Sequence, residues 1–274
     1  MTLRTALAAN MLAAALIFTA CGDDDDGADG GSAATVSITA DEQGISAPES
    51  VDAGLAEITL ENTGEENHEA QLIRVEGNHT HEDVLELLTG EGSQIPDWLV
   101  GGGGVGTAEA GETRTVTQVL EPGSYAVIDT GAEEPQSAPL EVTGDPADAE
   151  LPDAEATVTA SEYTFDASGL KSGTNTLLFE NAGEELHHLI ASPVKDDATP
   201  EKVLKFFETE EKSADPFTEG EEGDVETAVL ADGEAQVTEL ELASGKYAFM
   251  CFIPDRAGGP PHAAKGMITI EEIQ

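Results

Sequence analysis

A chain of 274 residues is long enough for two domains of ordinary size. Its 56 Asp and Glu residues against 11 Lys and Arg give a net charge of −45. That excludes both the basic footprint that nucleic acid requires and an electrostatic grip on anionic lipid. Hydrophobic residues, at 39%, suffice for a core in each half, but with 4% aromatics those cores must lean on Val, Ile, Leu and Ala.

Arg4 precedes an apolar stretch, ALAANMLAAALIFTA, that ends at Cys21. The stretch is too short to span a bilayer comfortably and reads as an export signal over residues 1–20. The residues FTAC resemble a bacterial lipobox, which implies cleavage before Cys21 and lipidation of its thiol. The chain would then be exported and lipid-anchored, on the outer face of the cytoplasmic membrane or in the periplasm or cell envelope. Cys251 is the only other cysteine. With Cys21 lipidated, Cys251 has no disulfide partner in an oxidising compartment, and its presence calls for an explanation.

Residues 21–33 are acidic and glycine-rich and form a flexible tether. A first domain is predicted over 34–144, a linker over 145–154, and a second domain over 155–274. ITLENTGEENHEAQLIRV (58–75) matches LLFENAGEELHHLIASPV (177–194), and LEPGSYAVID (120–129) matches LASGKYAFMC (242–251). The pairs keep their order and spacing, so the two domains read as an internal duplication.

In chain order, TVSIT and ATVTA open the two units as strands. AEITLEN and NTLLFEN follow, each ending at an Asn-x-Gly turn signal. HEDVLELLTG and TPEKVLKFFETEEK are one helix each, the second with Thr199 as N-cap and Pro200 at its first position. ETRTVTQVL and EAQVTELEL alternate with period two, as half-buried strands do. The reading is a mostly β protein: two tandem Greek-key β-sandwiches, each with one inserted short helix. The run GGGGVG (101–106) lacks the lysine of a phosphate loop.

The chemistry concentrates in GKYAFMCFIPDRAGGPPHAAKGMITI (245–270). Cys251 ends an apolar strand, His262 and Met267 follow on the same loop, and His187 lies far upstream after the Asn181-x-Gly183 turn. One thiolate, two imidazoles and a weak thioether suit copper cycling between Cu(I) and Cu(II). His188 is the alternative upstream ligand. Strand alternation favours His187: Glu69 and Gln71 should face outward, which turns His68 inward, and His187 aligns with His68.

These residues resemble the cupredoxin family of blue-copper proteins, whose ligand loop reads Tyr-x-Phe-x-Cys-x-x-Pro…His-x-x-x-Gly-Met. Tyr247, Phe249, Cys251, Pro254, His262, Gly266 and Met267 match it. The resemblance covers most of 155–273. It implies a cupredoxin-like sandwich and one type 1 copper in the second domain, held by His187, Cys251, His262 and Met267. The Cys-to-His interval is longer than in small members, and the extra DRAGG is expected to bulge outward. The first domain keeps His68 but has Asp129 at the cysteine position, so it is a degenerate module without copper; His79 and His81 read as solvated loop residues.

The function expected is one-electron transfer. Copper storage or delivery, and a copper-free sandwich for adhesion or assembly, are the alternatives. An enzyme is not expected: six histidines are too few for a three-copper cluster beside the blue site, and Met250 rather than histidine precedes Cys251. The resemblance also implies electron exit through an accessible edge of His262. The acidic charge points to a basic redox partner, such as a basic c-type cytochrome.

Overall fold

The computed structural model describes residues 33–90, 94–132, 134–145, 149–209, 215–218 and 224–274. The export and lipidation sites up to Cys21 lie outside them, as does the predicted helix beyond Thr209. No helix among the described residues is long and apolar enough to cross a membrane.

The first half contains strands β1 (Ala34–Asp41), β2 (Gly44–Ser46), β3 (Ser50–Asp52), β4 (Gly54–Asn62) and β5 (His68–Val75), then helix α1 (His81–Thr89). Strands β6 (Leu99–Ala108), β7 (Thr113–Leu120), β8 (Gly123–Asp129) and β9 (Gln136–Thr143) complete it. Every second residue of β1 and β4 is buried, as the alternating sequence predicts. One sheet contains β7-β4-β1-β2 and a second runs β3-β9-β8-β5-β6. Val36, Ile58 and Leu60 from the first face Leu72, Val127 and Leu140 from the second in one apolar core. Helix α1 starts at a capping box, Thr80 with Asp83, and buries Val84.

The second half repeats the layout with β10 (Ala156–Ser161), β11 (Thr164–Ser168), β12 (Gly173–Asn181), β13 (Ile190–Val194), α2 (Pro200–Thr209), β14 (Val225–Glu226), β15 (Ala235–Leu242), β16 (Gly245–Met250) and β17 (Ile268–Ile273). Its sheets are β11-β10-β12-β15 and β14-β13-β16-β17. Strand β16 is buried on both faces: Tyr247 and Phe249 enter the sandwich core, while Ala248 and Met250 lie in the cluster with Val203 of α2. Thr199 accepts from the Lys202 amide at 3.3 Å, as an N-cap does.

The halves are not merely in series. Strands β7 and β15 pair antiparallel, Val116↔Thr238 to Gln118↔Gln236, and fuse two four-stranded sheets into one of eight. Val116 and Thr238 are each the fourth residue of an eight-residue strand, so like meets like. A further apolar cluster spans the junction, with Ile73, Leu99 and Ile128 from one half and Leu186 and Ala231 from the other.

Gln71 does not face solvent as strand alternation suggests. It is 8% exposed, and its amide bonds the Val229 carbonyl (3.1 Å) and amide (2.6 Å) across the junction. The glycine run of β6 lies here too. Gly103 donates to the Val229 carbonyl at 3.1 Å, and Ala231 donates to Gly101 at 2.9 Å. A Cβ on Gly106 would stand 2.0 Å from the Glu226 carbonyl oxygen. The absent side chains let segment 226–231 lie directly against β6.

Candidate metal centre

Asn181 builds the approach to the upstream histidine. Its side-chain amide donates to the Glu185 and Leu230 carbonyls at 2.7 and 2.9 Å, and its oxygen accepts from Gly183. His187 is held outside the regular strand, which begins only at Ile190, by two backbone bonds to Leu230. Leu230 also bridges to Gly102, so the His187 backbone is braced, through one residue, against the first half.

The other donors share one loop. Cys251 continues the inward parity of Tyr247 and Phe249. Its carbonyl accepts from Ala263 at 2.7 Å, and His262 donates to Ile253 at 2.9 Å. A 3-10 turn (His262–Lys265) ends at left-handed Gly266, and the Met267 amide returns to the His262 carbonyl. The segment between leaves Ala257 and Gly259 exposed, while Arg256 turns to the first half. Arg256 bonds the Pro96 and Leu99 carbonyls of the first half at 3.2 and 2.9 Å, and its own carbonyl accepts from Ile95.

His187, Cys251 and His262 are brought together with no exposed surface. The two Nδ1 atoms are 3.2 Å apart, and Cys251 Sγ lies 3.6 Å from His262 Nδ1. Met267 is equally buried and packs in the same cluster as Cys251. Burial pushes the Cys251 thiol up to about 11. Burial and then the His262 charge push His187 down to about 4, so both groups are neutral near pH 7. His187 Nε2 is buried without a partner. Three lone-pair donors facing one another over such distances fit a soft cation: it would take the lone pairs and displace the thiol proton.

His188 is also buried but points elsewhere. Its Nε2 accepts from the Phe252 amide at 3.0 Å, and Glu226 is 3.6 Å from its Nδ1.

The outer edge of His262 is not accessible, contrary to expectation. Nε2 meets Asp255 Oδ1 at 3.1 Å. Asp255 is in turn bonded by the Tyr163 hydroxyl at 3.0 Å and paired with Lys265. The Lys265 ammonium holds the Asp255 carboxyl below its usual range. Glu185 also approaches this side, and its Oε2 accepts from the Arg256 amide. Asp255, Tyr163 and Lys265 were not singled out by sequence. The signal available was that Asp255 is the one acidic residue between Cys251 and Met267.

In the first half, His68 Nδ1 and Asp129 Oδ2 lie 2.6 Å apart, both fully buried. Asp129 Oδ1 accepts from Glu69 and Gly131 at 3.1 and 2.9 Å. A hydrogen-bonded His68–Asp129 pair therefore fills the place corresponding to His187 and Cys251, with His68 Nε2 buried without a hydrogen-bond partner. His79 stacks on Trp98 at 4.1 Å, and His81 bonds Ser137 at 3.0 Å, so neither forms part of a metal cluster among the described residues.

No family model matches the sequence, and no curated protein does. Among solved structures, the chain is similar to reduced auracyanin of the photosynthetic bacterium Roseiflexus castenholzii, at 20% identity over 43% of this chain and 94% of that one, with a TM-score of 0.29. Auracyanin B gives 18% identity over 43% and 86%, with a TM-score of 0.30. The copper nitrite reductase of Nitrosomonas europaea gives 15% identity over 88% and 93%, with a TM-score of 0.24. The metal centre is therefore read from its own side chains.

Proposed function

We propose that this protein is an exported, lipid-anchored type 1 copper protein, duplicated in tandem, whose second half carries one electron at a time. The observation that carries the reading is the convergence of His187 Nδ1, His262 Nδ1 and Cys251 Sγ, all fully buried, with Met267 in the same core cluster. A copper ion held there supplies one-electron chemistry between its cuprous and cupric states. Cys251 gives up its proton on loading, which burial alone would prevent. Backbone bonds from Leu230, Ile253 and Ala263 fix the three donors before any metal arrives, so little has to move on electron transfer. Lipid on Cys21 would hold the chain at the membrane, with a basic protein such as a c-type cytochrome as partner and no catalysis of its own.

Storage or delivery calls for donors that a partner can reach, and complete burial of all three weighs against it. A copper-free role would leave converging lone pairs with nothing between them.

Copper titration of the chain lacking residues 1–20, followed by visible absorption, tests the reading. One copper per chain and an intense thiolate-to-copper band are expected. Cys251→Ser abolishes the band with the fold retained. His187→Ala loses it, whereas His188→Ala keeps it and costs about 1–3 kcal/mol for the Phe252 amide left without an acceptor. A band surviving Cys251→Ser overturns the assignment.

A further inference from the structure

We propose that Asp255, clamped by Tyr163 and Lys265, is a positioning residue that fixes the tautomer of His262 and sets how strongly its Nδ1 donates. The proposal rests on the copper reading of the site and adds to it a residue on which that reading does not depend.

A carboxylate accepts and does not donate, so the 3.1 Å contact places the His262 proton on Nε2. Nδ1 is then a bare lone pair turned toward His187 and Cys251. With Asp255 in place the ring has no exposed surface. The clamp is itself specified. Tyr163 is the only non-glycine residue at positive φ among those described, at 60°, a region that bulky L side chains adopt at a cost. In that conformation its hydroxyl reaches Asp255, and its ring meets His262 edge-on at 5.2 Å. Lys265 pairs with the second carboxylate oxygen and lies 4.9 Å from the centre of the Tyr163 ring.

A carboxylate on the far nitrogen raises the basicity of a ligating imidazole and favours the more highly charged metal state. Lys265 opposes it by neutralising part of that charge. The two residues should therefore move the reduction potential in opposite directions, which loss of packing would not do. In the copper-loaded chain, Asp255→Asn should raise the potential and weaken Cu(II) binding about 10–100-fold. Lys265→Met should lower the potential, and Asp255→Glu should recover most of the affinity. In the metal-free chain, nitrogen NMR of His262 should show the Nε2–H tautomer. Shifts of the same sign in the two variants, an unchanged potential in Asp255→Asn, or an Nδ1–H tautomer would overturn the proposal. If the chain takes no copper, the copper reading fails and the tautomer alone decides the role of Asp255.

Discussion

His187 and His188 are neighbours in sequence with different tasks, one facing the donor set and the other holding the loop that follows Cys251. Both are pushed down to about 4, chiefly by burial. Unfolding frees each to bind a proton near 6.5, so the unfolded chain holds more protons between pH 6.5 and 4. Their contribution to stability is complete above pH 6.5 and is lost as pH falls toward 4, by up to about 3 kcal/mol each. Glu69 works the other way. Burial pushes it up to about 7, so its contribution is complete below 4.5 and lost as pH rises through 7. Denaturant midpoints of the metal-free chain from pH 8 to 4 should fall on the acid side, and more steeply in Glu69→Gln, where the opposing gain is gone. An acid limb equally steep in the two proteins would show that Glu69 titrates normally. Sequence alternation favours His187 over His188, although both are buried and both precede the regular strand, which begins at Ile190. It misplaces Gln71, because what covers this residue is the other half of the molecule.

Among the elements, β6 has the least chemistry in its sequence and a large part in positioning the site. Its glycines admit segment 226–231, and Leu230 of that segment carries the His187 backbone. Gly106→Ala would put a methyl group 2.0 Å from the Glu226 carbonyl oxygen, so the segment must shift. The expected outcome is weaker copper binding and a broadened visible band, although no residue of β6 is a donor. An unchanged copper affinity in Gly106→Ala would show that the brace does not reach the site. A chain cut to 145–274 should bind copper less tightly than the whole for the same reason. The ligand loop is legible in sequence because its donors are close together and chemically distinctive. The brace is not, since a glycine run shows only that side chains are absent, and what passes over it comes from far along the chain. Nor does the alternation of β7 and β15 reveal that their edges pair, because period two specifies faces rather than neighbours.

Over the whole molecule, the charge of −45 is spread unevenly. The run from Cys251 to Met267 holds Arg256 and Lys265, two of the 11 basic residues, and a single acid, Asp255. A partner docking over the site, as proposed, would therefore meet a loop of little net charge within a strongly acidic chain. The field would steer a basic partner from a distance, while contact at the patch relies on fit. The rate of electron exchange with a basic c-type cytochrome should fall steeply as salt rises, since exposed charges are screened within about 10 Å at 0.1 M. Stopped-flow measurements across a salt series check this, and a flat profile would remove long-range steering from the picture. The strand pattern and the residues that converge are readable from sequence, but the cover over His262 is not, because Tyr163 meets Asp255 only once the strands have assembled.

The brace between Gly102, Leu230 and His187 also bears on the order in which the molecule matures. The donor geometry depends on contacts between residues far apart in the chain, and such contacts form late, after local hairpins. A nascent chain would have strands, and even a closed Cys251–Met267 loop, before it could grip a metal. Metal uptake would then report completed docking of the two halves, and a half-assembled chain would be spared from capturing the wrong ion.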